Sequence, residues 1–450
     1  MRTCARGVST YLLKTGLAQR GLVVGYDTRF ASEDFAAEVA SVTTGSGVPT
    51  LLCTRAAPTP VISYNVAHHH AGGAAIITAS HNPPRWNGFK YKPDYAGSAS
   101  QDVVDALEAE IARVEGQDAP LLALPEARKR GLLRDIEPEP PYLGQVSRLV
   151  DLKAIRESGL RIATDAMYGA GAGYLPRLLQ GGSLRLEELH SQRNPAFPGM
   201  QQPEPVAHNL TELCQRVVSK GYDAGIAMDG DADRVGLVDE QGRFISTLQT
   251  FALLALYLLD VRKERGPLVK SITMTSMVYR LGELYGVPVH ETPVGFKFLG
   301  PVMRRENALA AGEESGGYAF RGHIPERDGI LSGLFLLDMM VKTGKRPSEL
   351  VNFLFSKVGP HYFERADVPF AATERPRIES RVASSNPKTL GEKRVLSRNE
   401  ADGVRFALEG GSWALVRFSG TEPLLRIYAE AESPESVARL LEEARAMAGV

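Results

Sequence analysis

Short apolar runs alternating with stretches of helical period constrain this chain most. Gly21-Leu-Val-Val-Gly-Tyr26, Leu51-Leu-Cys53 and Ala74-Ala-Ile-Ile77 are separated by helix-period stretches around residues 33–45 and 60–70. Apolar runs of this kind suit strands covered on both faces, with helices as the crossovers of a parallel sheet. After a helical stretch near 101–114, the Pro- and charge-rich segment Gln117 to Pro141 breaks the periodicity and is expected to be a surface excursion or boundary. The alternation restarts with a strand at Leu160 to Thr164, a helix from about Gly171, a strand at Leu184 to Leu189, a helix at 208–220 and a strand at Asp223 to Met228. A third set opens with a helix near 249–262, has strands at Val269 to Thr273 and Ala308 to Ala311, and closes with helices near 329–342 and 348–357. The last stretch differs, with strands at Val404 to Ala407, Trp413 to Phe418 and Leu425 to Ala429 before one helix at 433–447. The expectation is an α/β chain of three similar α/β domains, 1–145, 146–246 and 247–360, and a smaller C-terminal α+β domain, 361–450.

Composition narrows the function. The 52 basic and 53 acidic residues leave a formal charge of -1, so no global field draws the chain to nucleic acid or anionic lipid. Cys4, Cys53 and Cys214 are odd in number and far apart, which fits neither a disulfide framework nor a zinc site and points to a reducing cytoplasm. The longest apolar run, Phe251 to Leu259, is too short to span a bilayer, and Lys14 interrupts the N-terminal apolar stretch, which makes it a poor signal peptide. His68, His69 and His70 do not form a metal site, because consecutive helical side chains diverge.

Four loops carry chemistry. Thr78-Ala-Ser-His-Asn-Pro-Pro84 follows an apolar strand, where open α/β sheets hold their ligands, although Ser80 could equally cap a turn. In Asp229-Gly-Asp-Ala-Asp-Arg234 three carboxylates at alternate positions repel one another, and a hard divalent cation such as magnesium is the economical way to neutralise them. The loop lacks the length and terminal Glu of a calcium-binding EF-hand. Gly312-Glu-Glu-Ser-Gly-Gly317 offers acceptors and a hydroxyl suited to sugar hydroxyls, or a capped helix start. Arg417-Phe-Ser-Gly-Thr-Glu-Pro423, with Arg426 beyond it, offers guanidinium groups, hydroxyls and open amides for a phosphate.

In this order the four loops resemble those of the α-D-phosphohexomutases, the phosphoglucomutase and phosphomannomutase family, over nearly the whole chain. The resemblance implies four domains around a central cleft. It also implies phosphorylation of Ser80, and magnesium held by Asp229, Asp231 and Asp233 with the Ser80 oxygen. By the same resemblance His81, Glu313 and Ser315 contact the sugar phosphate, and Arg417, Ser419, Gly420, Thr421 and Arg426 form the phosphate loop. Lys90 and Arg234 match positions that assist proton movement and phosphate binding. The stretch Asn194-Pro-Ala-Phe-Pro198 and Pro203-Glu-Pro205 is similar to the family's second-domain connector.

Phosphomannomutase-type enzymes carry His two residues after the sugar-loop Ser, where this chain has Gly317. Gly322-His-Ile-Pro-Glu-Arg-Asp328 is closer to a phosphoglucomutase pattern with Arg327 replacing Lys; Arg327 can bind phosphate but accepts protons poorly, leaving His323 and Lys90 as acid/base candidates. Thr292-Pro-Val-Gly-Phe-Lys-Phe298 also resembles phosphoglucomutase and suggests that Lys297 contacts substrate.

These features imply interconversion of hexose 1- and 6-phosphates, glucose foremost, through a 1,6-bisphosphate, with glucose 1,6-bisphosphate as activator, on a monomer or homodimer. Phosphomannomutase, a catalytically weak sugar-phosphate binder, and a magnesium phosphatase using Asp229 as nucleophile are the alternatives. The family's N-terminal Gly-Thr-Ser/Asp-Gly-x-Arg-Gly motif is absent, so the first sheet is expected to lack a strand and the serine loop an Arg contact.

Overall fold

The computed structural model describes residues 1–419 and 423–450. Its first sheet comprises β1 (Leu22–Tyr26), β2 (Thr50–Cys53), β3 (Gly73–Ile77), β4 (Phe89–Pro93) and β5 (Leu133–Ile136), in the order β4-β3-β1-β2-β5. The second comprises β6 (Arg161–Asp165), β7 (Arg185–Leu189), β8 (Ala224–Met228), β9 (Val235–Asp239) and β10 (Phe244–Ile245), in the order β10-β9-β8-β6-β7. The third comprises β11 (Leu268–Ser271), β12 (Val289–Thr292), β13 (Ala310–Gly312) and β14 (Tyr318–Phe320), in the order β12-β11-β13-β14.

One permutation underlies all three sheets. A first strand pairs in parallel with its two successors in sequence, and the third strand of each set then turns back antiparallel as β4, β9 or β14. The connection into that returning strand carries the serine loop in the first sheet, the Asp loop in the second and the Glu313 loop in the third. Three chemically different loops therefore occupy one topological position, at the strand ends where such sheets present their ligand sites.

The fourth sheet is entirely antiparallel: β15 (Tyr362–Pro369), β16 (Thr389–Leu390), β17 (Lys393–Asn399), β18 (Val404–Leu408), β19 (Trp413–Phe418) and β20 (Leu424–Ala431), in the order β15-β20-β19-β18-β17-β16. The helices Arg375–Ser384 and Pro434–Ala448 pack against each other, and the second also covers β15, β19 and β20. The apolar pattern predicts three strands and one helix here. The two-residue β16, the strands β15 and β17, and the helix Arg375–Ser384 escape it: β15 and β17 are mostly exposed or half-buried and highly charged, and the helix buries only Ile378 and Val382, leaving little apolar periodicity to detect.

The segment 117–141 is also more than an excursion. It holds the helix Leu124–Lys129 and β5, which pairs in parallel with β2. Its two central residues, Arg134 and Asp135, are exposed and hid the strand. The expected division near residue 145 falls within the helix Glu139–Leu149.

The helix Gly329–Thr343 is buried over nearly its whole length and packs on β8, β9 and β14. It joins the second and third sheets through one hydrophobic core that also takes in Trp413, Leu415 and Tyr428 of the fourth sheet, whose other face has a core of its own. Among the described residues no helix is long and apolar enough to cross a membrane.

Candidate active site

The fully buried β3 ends at Ile77, and the serine loop begins directly after it with Thr78, Ala79 and Ser80 still buried. Ser80 adopts φ +52°, in the left-handed region that a side chain normally disfavours. Its N–H donates to Thr78 Oγ1 at 2.8 Å, and its hydroxyl donates to Asp229 Oδ2 at 3.0 Å. His81 Nδ1 lies 3.5 Å from the same hydroxyl. Burial, then the positive Arg234, lower the His81 pKa, so its imidazole is neutral.

The Asp loop joins β8 to β9 in a tight turn with Ala232 at φ +55°. Gly230 is required there, since a Cβ would stand 2.6 Å from the Ser80 carbonyl oxygen. Asp229, Asp231 and Asp233 are all fully buried, each with a carboxylate oxygen within 4.8 Å of the others. Asp229 accepts from Ser80 and from the Arg234 N–H at 3.0 Å; Asp231 Oδ2 accepts from Thr59 Oγ1 at 2.6 Å and Lys90 Nζ at 2.7 Å. Asp233 Oδ2 accepts from Arg327 Nη2 at 2.7 Å and Lys90 at 3.3 Å. Among the described residues the buried Oδ1 atoms of Asp231 and Asp233 have no hydrogen-bond partner.

Charge balance follows from burial. Burial and the carboxylates of Asp231 and Asp233 raise the Asp229 pKa well above the usual carboxylate range. Burial acts in the same sense on Asp231, but the Lys90 ammonium outweighs it and the pKa is lowered. Burial would lower the Lys90 pKa, yet Asp231 and Asp233 more than offset it and hold the amine protonated. Two orphaned hard oxygens beside a carboxylate that is costly to ionise make a donor set that fits a small divalent cation.

Other charges ring this cluster. Arg234 Nη1 donates to Glu204 Oε1 at 2.6 Å, and Arg327 reaches Glu313 Oε2 at 3.5 Å. Burial raises the Glu313 pKa against the pull of Arg327. Arg365 of β15 ion-pairs with Glu314 at 3.2 Å, so the fourth domain touches the Glu313 loop.

The structure therefore brings together Ser80, His81, Lys90, the Asp triad, Arg234, Glu313 and Arg327 from the first three sheets. It does not bring His323 to them. His323 Nε2 lies 3.0 Å from Asp328 Oδ2, with the ring buried against Tyr64 and Tyr142. Asp328 caps the helix Gly329–Thr343, so His323 supports that helix start, which argues against the proton-transfer role expected of it.

Lys297 is exposed on the helix Phe296–Glu306, its Nζ over the Phe298 ring, and Ser315 is half-buried in its loop. Arg417 is ion-paired with Asp402 at 2.8 Å; Arg426 stands opposite it on β20 with its Nε buried and, among the described residues, without a hydrogen-bond partner. Ser419 is buried, and its carbonyl accepts from Arg375. Gly420 and Thr421 lie outside the described residues.

Thr59 and Arg29 belong to no motif visible in the sequence, and Glu204 stands there only within the connector Pro203-Glu-Pro205. The serine loop is not without a guanidinium, because Arg29 donates to its carbonyl groups. Arg29 lies in a turn after β1, and its only sequence signal is a charged residue at a strand end.

Known proteins resemble this chain in each of its four domains. Profiles described as phosphoglucomutase/phosphomannomutase alpha/beta/alpha domains I, II and III match residues 1–118, 140–242 and 248–358, and the C-terminal domain profile matches 374–447. A phosphoglucomutase/phosphomannomutase of Thermococcus kodakarensis is 31% identical over 433 residues, covering 96% of this chain and 91% of the relative. A probable phosphoglucosamine mutase of Methanothermobacter thermautotrophicus is 32% identical, covering 94% of this chain and 89% of its own. A crystal structure of a Thermus thermophilus protein, provisionally named a phosphomannomutase, superposes with a TM-score of 0.86 at 33% identity, covering 100% of this chain and 94% of that one. Matched in all four domains and along nearly its full length, the chain belongs to the phosphoglucomutase/phosphomannomutase family of isomerases.

Proposed function

We propose that this chain interconverts hexose 1-phosphate and hexose 6-phosphate, with glucose as the preferred sugar, through phosphorylated Ser80 and a 1,6-bisphosphate intermediate. The observation that carries the proposal is the Ser80 hydroxyl, 3.0 Å from Asp229 within a wall of Asp231, Asp233, Lys90, Arg234 and Arg327. Phosphoryl transfer has a loose, highly charged transition state, so catalysis rests on positioning and charge compensation, which such a wall supplies.

A magnesium ion held by Asp229, Asp231, Asp233 and the Ser80 oxygen would supply Lewis-acid neutralisation of the transferring group. When the phosphoryl group leaves Ser80 for a sugar hydroxyl, the serine oxygen needs its charge offset and takes up one proton as the hydroxyl gives one up, with no net change; the return step reverses both demands. Lys90 is protonated and suited to the first need. Glu313 would orient sugar hydroxyls, and Arg327 and Arg234 would engage phosphate oxygens. Glucose is preferred on the strength of the Glu313-Glu-Ser315 and Thr292 to Phe298 segments.

The test combines a coupled assay of glucose, mannose and glucosamine 1-phosphates, with magnesium and a trace of glucose 1,6-bisphosphate, with peptide mapping of the phosphate. Glucose 1-phosphate should turn over fastest and about one phosphate should sit on Ser80. A faster rate with either other sugar overturns the preference, and phosphate on another residue with Ser80 bare overturns the mechanism.

A further inference from the structure

Arg29 is a buried cation outside the carboxylate cluster, in the turn Asp27-Thr-Arg-Phe30 after β1. Its guanidinium grips the serine loop by the backbone. Nη2 donates to the carbonyls of Ser80 at 2.7 Å and Asn82 at 2.5 Å, and Nη1 donates to those of Pro83 and Trp86, both at 3.0 Å. Nε faces Asp27 Oδ2 at 3.4 Å.

The second domain holds this arginine from the other side. The Phe197 ring lies against the guanidinium at 5.1 Å, and Arg193 donates to the Thr28 and Arg29 carbonyls at 3.0 and 3.1 Å. Arg193 is itself fixed by Glu33 at 2.7 Å.

Four carbonyl dipoles face the two Nη atoms in pairs, an arrangement whose repulsion only a positive charge with matching donors offsets, and a planar guanidinium has that fork. The peptide groups on both sides of Ser80 are thereby pinned, its N–H by Thr78 and its carbonyl by Arg29. The disfavoured positive φ of Ser80 needs such over-determination, and it aims Oγ at Asp229.

We infer that Arg29 is a positioning residue for phosphoryl transfer: its guanidinium holds the left-handed turn that directs the Ser80 oxygen toward the Asp triad. The inference rests on the mutase function proposed above. The fork, not the charge alone, does the holding, since a lysine ammonium is compact and cannot serve four carbonyls spread along the loop.

The test compares wild type with Arg29→Lys and Arg29→Ala in the full chain. Steady-state kinetics is read beside the rate at which glucose 1,6-bisphosphate labels Ser80. Arg29→Lys should lower kcat by at least about thirtyfold with KM changed less than about threefold, because the misplaced oxygen is lost from the transition state and not from sugar binding. Labelling of Ser80 should slow in proportion, and millimolar guanidinium should partly restore Arg29→Ala, a recovery that general destabilisation would not give.

Wild-type kcat and labelling in a folded Arg29→Lys protein overturn the inference. Should that variant fail to fold by circular dichroism, Phe197→Leu, which keeps the guanidinium and removes the ring against it, carries the test. Lowered kcat at constant KM is then the expected result, and unchanged kcat overturns the inference. A wild-type chain that never labels Ser80 sinks the proposed function and this inference together, whereas labelled wild type with an equally labelled and active Arg29→Lys sinks this inference alone.

Discussion

Asp231 accepts from Thr59 and Lys90 through one oxygen and leaves the other buried without a partner among the described residues. Asp231→Asn keeps the shape but removes a charge that acts on the transferring group, so kcat should fall at least about a hundredfold with KM little changed. Full turnover of the variant in excess magnesium would count against a metal role for the triad. A second residue-scale effect lies at His190, whose Nδ1 is 2.9 Å from Asp165 Oδ1. The same carboxylate oxygen accepts from the Met167 N–H, and the turn it holds leads to the Ala170 N–H, which donates to the Gly230 carbonyl of the Asp loop. The hydrogen bond to Asp165 raises the His190 pKa in the folded chain. A raised histidine contributes its stability fully below the unfolded value, about 6.5, and loses it as pH rises through the folded value. The difference in melting midpoint between wild type and His190→Asn should therefore be larger at pH 6 than at pH 9; a gap that widens with pH contradicts the pairing.

At the scale of elements, β4 turns two lysines to one face, because side chains two apart in a strand point the same way. Lys90 meets the Asp triad, and Lys92 forms a fully buried pair with Glu326, which also accepts from Ser98. The pair ties the first sheet to the loop carrying Arg327. Glu326→Ala leaves the Lys92 ammonium buried without its counter-charge and should cost about 3–5 kcal/mol of stability in urea titration. Lys92→Met combined with Glu326→Met should lie closer to wild type than Glu326→Ala does; the reverse order would show that the pair itself is strongly stabilising. Helices and core strands were legible in the sequence because burial enforces apolar runs, as in Gly73–Ile77 and Ala224–Met228. Strands at or next to a sheet edge, such as β5 and β17, were not, since one face or an end meets water and charge replaces periodicity.

For the molecule as a whole, one core runs through the first three domains and takes in Trp413, Leu415 and Tyr428 from one face of the fourth sheet, while the other face has a separate core containing Phe406, Ile378 and Leu440. Phe406→Ala should cost about 3–5 kcal/mol within that core. Hydrogen exchange should then accelerate across β15 to β20 and leave the helix Gly329–Thr343 protected. Equal loss of protection in that helix would show that the two cores unfold as one. Beside that shared apolar face, the fourth domain meets the others through polar contacts: Arg365 with Glu314, Arg405 and Lys270 with Glu291, and Ser276 with Glu430.

The chemistry of each loop was local and could be read from adjacent residues: the hydroxyl of Ser80, the alternating carboxylates of 229–233, the Glu-Glu-Ser string and the arginines of β19 and β20. The repeated strand–helix rhythm likewise determined the α/β domains, because burial of each strand demands the same apolar code wherever it occurs. Tertiary structure alone decided which charges meet. Thr59 caps Asp231 from 172 positions away in the chain and Arg327 meets Asp233 from 94, separations that no periodicity records. It also separated His323 from the site and placed Arg29 under the serine loop, since a side chain's role depends on what packs around it and not on its neighbours in sequence.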